Sequence, residues 1–194
     1  MIKTLQLSLA ACALVFACSL TASAQNQYLA KQDSLNKVYA NKQGKTVFFE
    51  LLGPGAVYSV NYDTRFAKRP DGWGGRIGLS YYSESGEHLF TAPLVVNYLA
   101  GKHGKYFEVG AGITYYNVNT NDVFFDNRYY EVIDPNGGYY VKEKNHNGVL
   151  GTLNFGYRYQ PLDGGFAFRT GVSPVFTQDR FLPWWPYVSF GYSF

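Results

Sequence analysis

"KYFEVGAGITYY", residues 105–116, decides the fold. Phe107, Val109, Ala111, Ile113 and Tyr115 share one parity; Glu108, Gly110, Gly112, Thr114 and Tyr116 share the other. A period of two is the side-chain repeat of a β-strand. One face is bulky and apolar. The other is small and polar and carries a carboxylate.

The same pattern recurs along the chain. "AVYSVNYDTRF" (56–66) sets Tyr58, Val60 and Tyr62 against Ser59, Asn61, Asp63 and Arg65. "GRIGLSYY" (75–82) sets Ile77, Leu79 and Tyr81 against Arg76, Gly78 and Ser80, and "TAPLVVNYL" (91–99) sets Leu94, Val96 and Tyr98 against Val95 and Asn97. "VLGTLNFGYRYQ" (149–160) sets Leu153, Phe155, Tyr157 and Tyr159 against Thr152, Asn154, Gly156 and Arg158. "FAFRTGVS" (166–173) sets Phe166, Phe168 and Val172 against Ala167, Arg169, Gly171 and Ser173. In the terminal "WWPYVSFGYSF" (184–194), Val188, Phe190, Tyr192 and Phe194 oppose Tyr187, Ser189, Gly191 and Ser193.

The direction of the alternation separates a soluble sandwich or lipocalin-like barrel from a membrane barrel. The apolar face is too large and aromatic to fill a small interior, and the opposite face cannot make a dry core. Such a sheet is stable with its small polar face inward and its apolar face in lipid. In hydrocarbon every backbone polar group must be satisfied internally, so the sheet must close. The expected fold is all-β: a closed antiparallel transmembrane β-barrel of about eight strands.

Composition agrees. Aromatics make up 19 %, with 18 Tyr, 15 Phe and 21 Gly. Lys3, the apolar stretch Leu5 to Phe16 and the small-residue site Ala22-Ser23-Ala24 read as a secretory signal over 1–24. Cys12 and Cys18 also resemble lipobox cysteines loosely. Both cysteines lie in the signal, so the exported part has no disulfide to form. Setting Lys3 aside leaves a net charge of +2 with no basic block, which argues against nucleic acid. Residues 25–45 read as a periplasmic leader, disordered or one short helix, and 46–194 as the barrel.

Loop lengths orient it. Residues 99–105 and 160–165 are short and glycine-containing, as periplasmic turns are, and 117–147 is a long polar excursion, as an extracellular loop is. Counting back from a last strand that runs to the periplasm gives strands near 184–194, 165–177, 147–160, 105–117, 88–99, 73–83 and 55–66. "KTVFFELLG" (45–53) supplies the eighth, or continues into the next through Gly53-Pro54-Gly55.

The blocks "FFELLGPGAVYSVNYDTRF", "APLVVNYLAGKHGKYFEVGAGITY" and "GTLNFGYRYQPLDGGFAFRTGVSPVF" resemble the small outer-membrane β-barrel proteins of Bacteroidetes-type bacteria. The resemblance covers about residues 46–194. It implies a single small barrel, similar in architecture to the OmpA/OmpX type, and no reaction. The bare terminal Phe194, with Val188, Phe190 and Tyr192, resembles the signature read by the barrel-assembly machinery.

Several residue sets bear on function. Asp63, Arg65, Arg76, Glu108, Arg158 and Arg169 are expected to point into the lumen. They form either a salt-bridged plug or the lining of a narrow channel; barrel size favours the plug. Trp184 and Trp185 fit an aromatic girdle. Within the long loop, "RYYEVI", "DPNGG" and "YYVKEK" read as a β-hairpin. Tyr129, Tyr130, Tyr139 and Tyr140 there either pack across strands or form a binding surface.

An outer-membrane enzyme would use a His with a nucleophile. His103 and His146 fall at a turn and a loop end, while Ser83, Ser85, Glu87 and His88 cluster at one turn without a motif. Asp122, Asp126 and Asp134 lack calcium-ligand spacing. No cofactor and no metal are expected. The function expected is non-enzymatic, structural or interactive. Membrane lipid and lipopolysaccharide, the assembly machinery and an envelope protein are the expected partners.

Overall fold

The computed structural model describes residues 27–84, 87–119, 131–133, 139–141, 145–177 and 180–194. A helix, α1, spans 27–38, within the stretch expected to be disordered or one short helix. The strands follow: β1 (Lys45–Leu52), β2 (Tyr58–Arg65), β3 (Gly72–Glu84), β4 (Glu87–Lys102), β5 (Lys105–Asn119), β6 (Glu131–Ile133), β7 (Tyr139–Val141), β8 (Asn145–Tyr159), β9 (Gly165–Val172), β10 (Val175–Phe176), β11 (Phe181–Leu182) and β12 (Pro186–Ser193). A 3-10 turn, Gly53–Gly55, separates β1 from β2. Strand 45–53 is therefore a strand of its own.

Antiparallel ladders join β1 to β2, β3, β4, β5, β8, β9 and β12 in turn, and β12 returns to β1. Eight strands close the ring. β10 continues β9 past Ser173-Pro174 and still pairs with β8. β6 and β7 form the separate hairpin read in the long loop, with Val132 opposite Tyr140 and Ile133 opposite Tyr139.

Local chemistry explains the turns. Between β4 and β5, His103 (φ 60) and Gly104 (φ 73) both adopt positive φ, as a two-residue type I′ hairpin requires. β5 and β8 have 15 residues each, about 50 Å of strand at the usual rise. Even tilted, this exceeds the roughly 30 Å of a bilayer core.

The faces follow the sequence parity. Phe49, Val60, Ile77, Leu79, Leu94, Val96, Phe107, Ile113, Phe155, Phe166 and Phe190 point outward and are exposed over the whole circumference. Ser59, Asn61, Asp63, Asn97, Glu108, Asn154, Arg158 and Ser189 are buried inside. An apolar surface of this extent is not that of a water-soluble monomer.

The lumen-facing glycines make space. A Cβ on Gly156 would lie 2.3 Å from the Tyr187 hydroxyl and 2.4 Å from the Thr170 carbonyl oxygen. Gly171, the register partner of Gly156, forms the other side of the notch that receives the Tyr187 ring.

Candidate functional site

The candidate site is the lumen, which is filled at three levels. At mid-height the inward parity brings together four guanidinium groups and three carboxylates. Asp63 (β2) pairs with Arg65 at 2.5 Å and with Arg158 (β8) at 2.9 Å. Glu108 (β5) pairs with Arg169 (β9) through both Nε at 2.9 Å and Nη2 at 2.7 Å. Arg158 Nη1 lies 3.7 Å from the second Glu108 oxygen. Glu50 (β1) accepts from Arg76 (β3) and from Arg169, both at 3.0 Å.

Asn97 (β4) ties the pairs into one lattice. Its amide donates to Asp63 at 2.8 Å and to Glu108 at 2.9 Å, and its carbonyl accepts from Arg65 at 2.7 Å. Arg169 also lies over the Phe48 ring at 4.4 Å and near the Tyr187 ring at 5.3 Å, as guanidinium–aromatic stacking favours. All these charged side chains are at most 1 % exposed.

The six lumen charges named from the sequence are thus all buried together, and Glu50 joins them. Glu50 was hidden by its neighbours: "VFFELL" has adjacent phenylalanines, so its alternation has no visible phase. The signal present was the charge itself, since a lone carboxylate among apolar residues marks the inward parity.

At the end opposite the β4–β5 turn the lumen is apolar. Leu89, Tyr116, Val118, Leu150 and Val175 form a buried cluster packed by Ala56, Leu182 and Trp185. The expectation of a wholly small and polar lumen is corrected here. These residues occupy the inward parity of strand ends beyond the charged band, where the space is closed off from water.

The 3-10 turn folds down into this end. Trp185 Nε1 donates to the Gly53 carbonyl at 2.9 Å, Thr114 to that of Pro54 at 2.9 Å, and Thr91 to that of Gly55 at 2.9 Å. Leu52 (φ 60) and Ala56 (φ 70) hold positive φ without being glycine, a strain the surrounding hydrogen bonds must offset. The two tryptophans of the expected girdle therefore divide. Trp184 is 74 % exposed, whereas Trp185 turns inward to hold the plug.

The end of the barrel at the β2–β3 and β4–β5 turns is closed by the chain leading into β1. Gly44 N donates to the Arg69 carbonyl and Arg65 N to that of Gly44. α1 packs below: His103 Nε2 lies 2.8 Å from an Asp33 oxygen, and the Lys105 ammonium sits 5.5 Å from the Tyr28 ring centre. In the β2–β3 turn, Arg69 binds Asp71 through two hydrogen bonds of 2.6 and 2.8 Å, and these hold the Asp71 carboxyl below its ordinary range.

The remaining candidates are placed as follows. Ser83 and His88 are register partners across the β3–β4 hairpin, and no hydrogen bond joins their side chains among the described contacts. Tyr139 and Tyr140 lie on β7. Ser85, Tyr129, Tyr130, Asp122, Asp126 and Asp134 lie outside the described residues. Phe190, Tyr192 and Phe194 are exposed and Val188 is half-buried. Among the described residues no group of three His, Cys, Asp or Glu could hold a metal, and no helix is long and apolar enough to cross a membrane.

No protein-family model and no curated protein matches the chain. A solved structure does. The N-terminal β-barrel domain of Pseudomonas aeruginosa OprF superposes with a TM-score of 0.53 at 13 % identity, covering 79 % of this chain and 98 % of that one. The fold is that of a small outer-membrane-type barrel. Ail, the attachment invasion locus protein of Yersinia pestis, solved with the heparin analogue sucrose octasulfate, gives a TM-score of 0.36 at 8 % identity, over 78 % and 96 % of the two chains.

Proposed function

We propose that the protein is a non-enzymatic barrel of the bacterial outer membrane, with a structural or interaction role exerted through its extracellular face. The observation that carries this reading is the filled lumen. A cross-linked lattice of seven charges, capped by an apolar plug, leaves the outward belt and the loops as the working surfaces. The belt matches lipid and the acyl chains of lipopolysaccharide. Residues 1–24 act as the export signal, and Val188, Phe190, Tyr192 and Phe194 as the stripe read by the barrel-assembly machinery. Kinship with the Bacteroidetes-type barrels rests on the sequence blocks quoted above. The hairpin carrying Tyr139 and Tyr140, with Tyr129 and Tyr130 before it, is the contact surface for an envelope partner.

A narrow channel is the second reading. It is favoured by lumen groups without a protein partner, among them Arg76 Nε and Nη2, Asn61 Oδ1 and Thr152 Oγ1, which water could solvate. Planar-bilayer recording separates the two. The filled lumen is expected to be silent. Conductance steps abolished by neutralising Arg158 or Arg169 would overturn it. Crosslinking pull-down from native membranes then tests the interaction role: the captured partner should be lost when the four loop tyrosines become serine. Capture that ignores those tyrosines removes them from the contact surface.

A further inference from the structure

Below the barrel, α1 and the periplasmic turns border an open cleft of about 640 Å³. Neither side has it alone: Asn36, Lys37 and Asn41 come from α1 and the chain just after it, Lys68 from the β2–β3 turn, and Lys102 and Tyr106 from the β4–β5 hairpin.

The charges in this cleft do not balance. Two acids stand against Lys37, Lys68, Arg69 and Lys102; Asp71 is held by Arg69, and Asp33 lies 2.8 Å from His103 Nε2. Lys37, Lys68 and Lys102 are exposed and have no ion-pair partner among the described residues. Lys102 also stands opposite Lys105 in the hairpin register, a like-charged pair that is unfavourable without an intervening anion. Lys105 turns to the Tyr28 ring, which leaves Lys102 to the cleft. The Asn36 and Asn41 amides add neutral donors.

Three lysines that line one cleft from separate elements, with amide donors beside them, are complementary to a ligand with several negatively charged oxygens. An ammonium is a compact point charge with three rotatable donors, suited to carboxylate or phosphate oxygens without demanding one geometry. We infer that this cleft binds a multidentate oxyanion, a group bearing two or more carboxylate or phosphate oxygens, and that α1 is held against the barrel to complete the site. Tyr106, whose side chain belongs to the inward parity, backs the cleft, so the site lies under the barrel mouth.

The test uses the whole purified protein with two probes. Calorimetry with citrate at low ionic strength supplies a soluble polycarboxylate. Native mass spectrometry from nanodiscs doped with phosphatidylglycerol supplies a lipid phosphate. Each exposed ammonium–oxyanion contact is worth roughly two- to fivefold, so the triple variant K37Q/K68Q/K102Q should lose about tenfold or more. A charge-matched triple outside the cleft, K31Q/K42Q/K45Q, should lose much less. Heat-modifiable migration on detergent gels confirms that both triples keep the barrel. Lysine-dependent binding of either probe upholds the site, and the probe retained names the source of the oxyanion. Equal losses in the two triples, or no binding of either probe to the wild type, overturn it.

Discussion

Replacing Glu108 by Gln keeps the shape of the side chain and removes one charge from the centre of the lumen lattice. Glu108 accepts three hydrogen bonds of 2.7–2.9 Å, two from Arg169 and one from Asn97, in a site with no exposure. Without it, Arg65, Arg76, Arg158 and Arg169 face only Glu50 and Asp63. Guanidinium groups stay protonated at every accessible pH, so the excess cannot be titrated away. Breaking a buried pair by removing one partner costs about 3–5 kcal/mol, because the survivor is left uncompensated. The unfolding equilibrium in lipid vesicles with urea should therefore shift by roughly two to four decades.

The double variant E108Q/R169M should recover part of that loss. It removes the orphaned guanidinium and leaves an apolar side chain to pack against Phe48. The coupling between the two sites should then exceed about 1 kcal/mol, as for neighbours in one network. If E108Q loses less than 1 kcal/mol, or the two changes simply add, the lattice does not hold the lumen together and the reasoning fails.

Three further changes probe other levels of the structure. Gly156→Ala should destabilise the barrel by about 2–3 kcal/mol through overpacking against Tyr187 and the Thr170 carbonyl, whereas Gly151→Ala, whose added carbon would have nothing nearer than 3.7 Å, should be close to neutral in the same urea assay. Trp185→Phe removes the hydrogen bond to Gly53 and should cost about 1 kcal/mol, with faster protease cleavage near residues 52–57; unchanged cleavage would mean the turn is held by packing alone. Phe194→Ala, at an exposed position, should leave refolding in detergent intact but lower insertion in cells while export continues, measured by membrane fractionation.

Much of this was legible because parity along a strand is unambiguous wherever one charge anchors it. Asp63, Glu108, Arg158 and Arg169 each fix the inward face of their strand, and the eight-strand ring follows from the turns between them. Legibility failed where alternation no longer distinguishes the faces. In "VFFELL" apolar residues occupy both parities, so only the Glu50 charge separates the face of Phe48 from that of Val47 and Phe49. At the outer strand ends Leu89, Val118 and Leu150 obey the inward parity but are apolar. Alternation reports which way a side chain points, not what meets it there. Trp185 shows the same limit: two adjacent tryptophans point to opposite sides of a wall, so both cannot belong to one girdle. The inward fold of Gly53-Pro54-Gly55 depends on Thr91, Thr114 and Trp185 arriving from distant strands, which no local pattern encodes.

The seam between β1 and β12 has a consequence in time. It pairs Thr46 with Ser193 and Leu52 with Tyr187, contacts as far apart in sequence as the barrel allows. Loop-closure entropy must be met before such contacts return any stability, so topologies of this kind form late. Until β12 is synthesised and delivered, β1 keeps an open edge, and Glu50 lacks both Arg169 and Ser189. The two events coincide: the strand that zips the seam brings Ser189 to Glu50 and holds β9, the strand that carries Arg169. The last contacts of the lattice and the closure of the ring are therefore made in one step.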